Sequence, residues 1–342
     1  MPHINLFLLF EVAGFIAFAV ILAREIYQKN WQRVFEITSC AVFGLILEIS
    51  DSSLGHTYAY SPNFAVQVMR VPLTIGLAWS VIIYCCMLLS DQLKIPWHLR
   101  PFMDALTAIL IDLSLDTIAI RLGFWHWTIP LNQEWYGVPF DNFIGWILVV
   151  LVFSFLIRFI RTLNVKRTMT KILMFLSPAV AYAGLFLGMV VFGFLAVLPY
   201  QINNFFKLSS SESKMGFSVV YYPEVQLWKL IIVVLIMAVL VNVVVGAMIK
   251  YRRKYLNHFD LPAFLILTSL HMYCVFLVFY SGIYRQEPYL AFLAIVVFLI
   301  HLLMHFLPYL LRPGAVYFFR DIERVLEKEE RKVEKVIQAE FK

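Results

Sequence analysis

Long, unbroken apolar stretches recur along the chain, and polar residues gather in the breaks between them. Crossing roughly 30 Å of hydrocarbon takes about 20 apolar residues. Stretches of that length lie near 4–24, 32–50, 66–90, 104–122, 143–160, 171–199, 227–249, 261–281 and 289–311. The pattern therefore predicts an all-α, polytopic membrane helix bundle of nine spans. The second and fourth stretches are the least apolar: one carries Glu36 and Glu48, the other Asp104, Asp112 and Asp116. If either fails to cross, the count falls to eight.

Basic residues give the direction of the bundle, because cytoplasmic loops hold an excess of Lys and Arg. The breaks after the first, third, fifth and seventh stretches carry Arg24, Lys29 and Arg33, then Lys94 and Arg100, then Arg158, Arg161, Lys166, Arg167 and Lys171, and finally Lys250, Arg252, Arg253 and Lys254. The alternate breaks carry far fewer, among them Arg121, Lys207, Lys214 and Arg285. This alternation predicts an N-terminus outside and a C-terminus in the cytoplasm. The first stretch, "MPHINLFLLFEVAGF", has neither a basic leader nor a small-residue cleavage site and reads as a retained helix rather than a signal peptide.

Composition agrees with a membrane class: 61% of residues are hydrophobic and 15% charged, against about 45–50% apolar in soluble domains. The net charge of +6 sits where membrane orientation demands it and gives no reason to expect nucleic acid. Cys40, Cys85, Cys86 and Cys274 all fall inside apolar stretches without a CxxC pair, which speaks against disulfides and a thiolate zinc site. The longest polar break holds "LSSSESKMG" and reads as an external loop. Residues 1–311 form one membrane domain on this reading, and 312–342 a cytoplasmic amphipathic tail with Ile322, Val325, Leu326, Val333, Val336 and Ile337 along one face.

Ionisable groups inside a membrane are costly and by default mark function. Asp112 and Asp116, four apart, share one face of a helix and lie about 6 Å apart along its axis. Glu48 and Asp51 end the second stretch on the same predicted outer side, followed by His56, Tyr58 and Tyr60, and Arg70 opens the third stretch there. On that side too lies "GFWHWTIPLNQEWYGVPFDNFIGW", residues 123–146, which holds four of the eight tryptophans with Arg121 just before it. A plainer account makes Asp116–Arg121 and Glu48–Arg70 structural ion pairs and the tryptophans an interfacial belt. Belt tryptophans, however, do not require several acids beneath them.

Other chemistries lack their residues. Di-iron membrane oxygenases need several histidine boxes, and this chain has eight histidines with one HxxxH, His301 and His305, a pair that more often packs or hydrogen-bonds than binds metal. No GxGxxG or Walker A sequence occurs. The DxxxD of Asp112 and Asp116 leaves a magnesium-dependent prenyltransferase open, though a second aspartate-rich motif is missing. A transporter could use the same acids for a proton or cation, but no inverted repeat is visible. There remains acid chemistry without cofactor or metal: a carboxylic acid sheltered from water can protonate a C=C bond, and aromatic faces stabilise the cation by about 0.5–2 kcal/mol each.

The succession "VPLTIGLAWSVIIY", "DALTAILIDLSLDTIAIRLGFWHW" and "WYGVPFDNFIGW", within residues 40–160, resembles the membrane carotenoid-biosynthesis proteins that include the carotenoid 1',2'-hydratases of bacteria and archaea. The resemblance implies water addition to the terminal double bond of an acyclic (psi) carotenoid end, without a redox cofactor, in the plasma membrane of a prokaryote. Membrane lipid and other enzymes of the carotenoid pathway would be its neighbours. Roles assigned from the residues themselves make Asp112 or Asp116 the proton donor, with Glu48 as rival. Asp141 and Asn142 would orient water. Trp125, Trp127, Tyr136 and Trp146 would line the end-group pocket, with His126 a candidate relay, while Gly123, Gly137, Pro139 and Gly145 would set turns and close helix approach.

Overall fold

The structure, a computed structural model, describes residues 5–54, 57–93, 95–163, 165–206, 223–251 and 259–310. His56, the "LSSSESKMG" segment and the amphipathic tail lie outside the described residues. Each expected apolar stretch coincides with a long helix: α1 (Leu6–Tyr27), α2 (Trp31–Ile49), α3 (Leu73–Asp91), α4 (Arg100–Arg121), α5 (Phe140–Thr162), α6 (Arg167–Phe206), α7 (Pro223–Tyr251), α8 (Leu261–Tyr280) and, after the short α9 (Ile283–Gln286), α10 (Pro288–Leu310). Short strands β1 (Tyr58–Tyr60), β2 (Gln67–Val68), β3 (Val71–Pro72) and β4 (Trp125–Trp127) cap one end. The chain is thus an all-α polytopic membrane bundle.

Among the described residues seven helices, α1, α3, α5, α6, α7, α8 and α10, are long and apolar enough to cross a membrane. The two that fall short are α2 and α4, whose carboxylates lower their hydropathy, and the bundle shields them from lipid to different degrees. Of the 22 residues of α4 only Arg100, Phe102, Leu113 and Arg121 are not buried. It is surrounded by α3, α5, α7, α8 and α10. Helix α2 buries Glu36, Ser39, Cys40, Phe43, Leu47 and Glu48 on one side. A polar helix inside a membrane bundle is tolerable when its neighbours supply the hydrogen bonds that lipid cannot.

The third helix starts later than the apolar run suggests. Pro72 caps α3, so Arg70 does not open that helix. It lies instead in the tight turn between β2 and β3, where Met69 and Arg70 both have positive φ (51° and 68°) as a two-residue hairpin turn requires. Glu11, buried within α1, explains itself at the same end: its carboxylate accepts the backbone N–H groups of Ala65 and Val66, each at 2.9 Å, and ties the strand region to the bundle.

The opposite end is basic. Asp91 accepts from Arg33 and Arg100 at 3.0 Å and from Arg158 and Arg161 at 3.1 Å. Arg161 also grips Glu36 through both its Nε (2.8 Å) and Nη2 (2.5 Å). Arg24 forks onto Asp260 at 2.9 and 2.7 Å, joining the end of α1 to the N-cap of α8. Asp104 belongs to this network, not to the strand end: its carboxylate is wholly buried and receives Arg158, Ser90 and Ser154. The arginines thus cluster where the charge pattern along the chain puts the cytoplasm.

Removing one member of a buried pair leaves an uncompensated charge and costs about 3–5 kcal/mol. Arg158→Met is expected to lower thermal stability in detergent by that amount, and adding Asp104→Leu to it is expected to recover most of the loss. A double-mutant cycle by thermal unfolding checks this.

Candidate functional site

Two short strands from distant parts of the chain build the roof of the site. β1 pairs antiparallel with β4, with Tyr58 opposite Trp127 and Tyr60 opposite Trp125. Side chains alternate across a strand, so Tyr58, Tyr60, Trp125 and Trp127 all turn toward the bundle. The ring centroids of Tyr58 and Trp127 are 4.7 Å apart, and those of Tyr60 and Trp125 are 5.9 Å apart. The same alternation turns His126 outward, where it is exposed and takes no part in the cavity wall.

Under that roof lies Glu48. Its Oε2 accepts the hydroxyls of Tyr58 and Tyr60 (the latter at 2.5 Å), and its Oε1 accepts the indole N–H of Trp79 at 2.6 Å. Trp79 gets this close because α2 and α3 meet through glycines. A Cβ on Gly44 would stand 2.7 Å from the Trp79 Cβ, and one on Gly76 would stand 2.4 Å from Leu45 Cγ. The Trp79 ring in turn packs on Trp146, with centroids 4.3 Å apart.

A second carboxyl group pair sits across the cavity. Asn142, in the first turn of α5, donates its amide to Asp116 Oδ2 at 2.8 Å and to Asp112 Oδ2 at 3.0 Å. One side-chain amide thus clamps both aspartates of α4, which also lie within hydrogen-bonding reach of each other. Asp116 lines the cavity, whereas Asp112 is wholly buried behind it with one carboxyl oxygen free of protein partners. Neither expected ion pair forms. Arg121 pairs with Glu287 and donates to the carbonyls of Thr117 (2.8 Å) and Tyr136 (2.9 Å), and Glu48 is held by aromatic donors rather than by Arg70.

Between the two acid groups is a cavity of about 850 Å³, within the range of about 300–1,000 Å³ typical of small-molecule sites. Glu48, Asp116, Asp141, Asn142, Trp125, Trp127 and Trp146 all line it. Tyr136 does not: it is exposed in a turn with φ 51° and stacks on Tyr289, centroids 4.7 Å apart. Asp141 stands at the mouth, bound to Lys229 at 2.6 Å. Trp127 Nε1, Asp141 Oδ1 and Gln226 Oε1, all on cavity-lining residues, have no protein partner.

The residue types alone gave no role to Trp79, Tyr182, Gln226 or Lys229, and named Tyr58 and Tyr60 only as neighbours. The alternating "YAY" was a strand signal for the two tyrosines. Tyr182, Gln226 and Lys229 sit on helices whose sequence shows only apolar runs. A separate cluster, His271, His301 and His305, joins α8 to α10 with ring centroids 4.4 and 4.6 Å apart. Among the described residues no group of three such ligands is arranged to hold a metal ion.

Asp51, just past α2 and on the cavity wall, is pushed up from 3.8 to about 7, first by burial and then by the charge of Glu48. A raised carboxyl pKa means the folded state binds the extra proton between those values, so this group's contribution falls as pH rises from about 4 to about 7. Asp51→Asn is expected to remove that slope, seen as a convergence of wild-type and variant melting temperatures at low pH and a higher melting temperature for the variant above pH 7.

A stretch of 53 residues is 43% identical to bisanhydrobacterioruberin hydratase of Haloarcula japonica, covering 14% of this chain and 17% of that protein's length. No solved structure matches the chain. The family model described as carotenoid biosynthesis protein matches residues 6–208, which include every acid and every aromatic ring lining the cavity; only Gln226 and Lys229 of α7 fall outside. The chain belongs to the carotenoid biosynthesis protein family.

Proposed function

We propose that the protein adds water to the terminal C=C bond of an acyclic carotenoid end, giving a tertiary alcohol, in the plasma membrane of a prokaryote. The observation that carries this reading is the Asp112–Asn142–Asp116 clamp facing a cavity walled by tryptophan and tyrosine. The name of the partial relative, a hydratase, supports the same reaction class.

In this mechanism Asp116, the aspartate on the cavity wall, gives its proton to the less substituted carbon of the double bond. The electron pair of the π bond forms the new C–H bond and leaves a tertiary cation. Trp125, Trp127, Trp79 and Trp146 present ring faces to that cation, each worth about 0.5–2 kcal/mol. Glu48, fixed by three donors, supplies a carboxylate on the far side of the cavity. Water enters past Asp141 and Gln226, its oxygen bonds to the tertiary carbon, and its proton returns to the carboxyl groups. Alkene and water are consumed, the alcohol is formed, and the acids end as they began. Asp112 and Asn142 hold Asp116 in place, and Asp112 can pass a proton to it through their direct contact.

Expression in a bacterial host that accumulates lycopene tests the reading. The expected pigment is heavier by one water with an unchanged visible spectrum, because the conjugated chain is untouched. Asp116→Asn is expected to lower its yield about 100-fold or more, and Asp112→Asn and Glu48→Gln to lower it less while folded protein remains in the membrane. Magnesium dependence with release of diphosphate would instead indicate prenyl transfer, and ion movement without a product would indicate a transporter.

A further inference from the structure

A carotenoid is a long extended rod, whereas the cavity of about 850 Å³ lies in the strand-end half of the bundle, between the β1–β4 roof and the level of Ile82 and Val149, so the rod cannot lie wholly inside it. The rest of the chain must leave somewhere, and the cavity has two kinds of border. At the strand end it is edged by Thr57, Thr128 and Pro130, which are exposed beside the polar groups of Gln133, Asp141 and Lys229. On its side it is walled by Tyr182, Leu185, Phe186 and Met189, one face of α6.

Phe186 is both cavity wall and 63% exposed on a helix long and apolar enough to cross the membrane. Its neighbour Leu187 is 64% exposed. A side chain that is both wall and outer surface marks the place where the cavity reaches lipid. Close contacts of Gly188 with Leu148 and of Gly184 with Val152 align α6 antiparallel to α5, setting Phe186 and Met189 level with Val149 and Trp146. α6 meets α2 through Ser39 and the Met174 carbonyl (2.9 Å), two turns or more toward the basic end, and Leu47 and Glu48 of α2 line the cavity opposite.

Gly145 adds a second observation. It lines the cavity, and a Cβ built there would meet nothing within 4 Å. Its sequence neighbourhood suggests close helix approach, yet no helix presses on it. The missing side chain widens the cavity itself, one residue before Trp146.

We infer that the cavity opens sideways into the bilayer beside Phe186, and that a long acyclic polyene lies with its end group over Gly145 and its remaining length passing Phe186 into lipid. This rests on a carotenoid as ligand, but not on hydration as the reaction. Water and chain then use separate doors: the polar mouth at the strand end and the apolar one in the membrane.

Photo-crosslinking in membranes containing lycopene tests it. With Phe186→p-benzoylphenylalanine, illumination is expected to give a protein–lycopene adduct by mass spectrometry, and with Thr128→p-benzoylphenylalanine none. Gly145→Leu is expected to weaken lycopene binding at least tenfold, read as quenching of tryptophan fluorescence by the polyene, while Gly193→Leu, which faces open space outside the cavity wall, leaves it unchanged. An adduct at 128 with none at 186 overturns the inference, as does absence of any adduct at 186, whether or not product forms. An adduct at 186 without a hydrated product upholds the side opening and removes the proposed reaction.

Discussion

A carboxyl group inside a membrane must find its hydrogen-bond donors within the protein, because lipid supplies none. Helix α4 carries Asp104, Asp112 and Asp116, so it can exist only if neighbouring helices enclose it and answer each carboxyl group. At the basic end the answer is Arg158 with two serines. At the strand end it is the single amide of Asn142. The contrast divides the molecule: strong charge pairing fastens one end, and a lightly partnered acid pair faces a cavity at the other. A buried ion pair with a full set of donors has little chemistry left to perform. An acid pair held by one amide still has proton positions to exchange.

The second acid group follows the same constraint with different means. Glu48 is held by two phenols and an indole, so the groups that satisfy its oxygens also form the cavity wall. Aromatic surface and hydrogen bonding are thereby supplied by the same side chains. The β1–β4 pair makes this possible, because two tyrosines and two tryptophans spaced two apart must face one way once the strands pair.

Much of this was legible in the chain. Apolar run length located the long helices to within about a turn, except at the start of α3 and the end of α6, and the four-residue spacing of Asp112 and Asp116 put both on one face. The density of tryptophan near residue 125 coincides with the end of the bundle that holds the cavity. What periodicity could not give was pairing across sequence distance. Nothing local to Tyr58 says that it opposes Trp127, so its hold on Glu48 emerged only with the fold. His126, a candidate relay by residue type, is sent outward by the same strand pairing. Arg70 was drawn into the third helix because the apolar run around it hid a hairpin that ends at Pro72. Tyr136, expected in the pocket by residue type, turns away through its positive φ and stacks on Tyr289. Gly145 shows the limit most plainly: a glycine in an apolar helix reads as close packing, and only the surrounding helices reveal open space.

The central claim is that a carboxylic acid of the Asp112–Asn142–Asp116 clamp protonates a carbon of the ligand. The most direct measurement is turnover of an acyclic carotenoid in membranes equilibrated with deuterium oxide, with the product analysed by mass spectrometry and magnetic resonance. The account predicts one non-exchangeable deuterium on the carbon next to the tertiary alcohol. A hydrated product with no deuterium bound to carbon would contradict it.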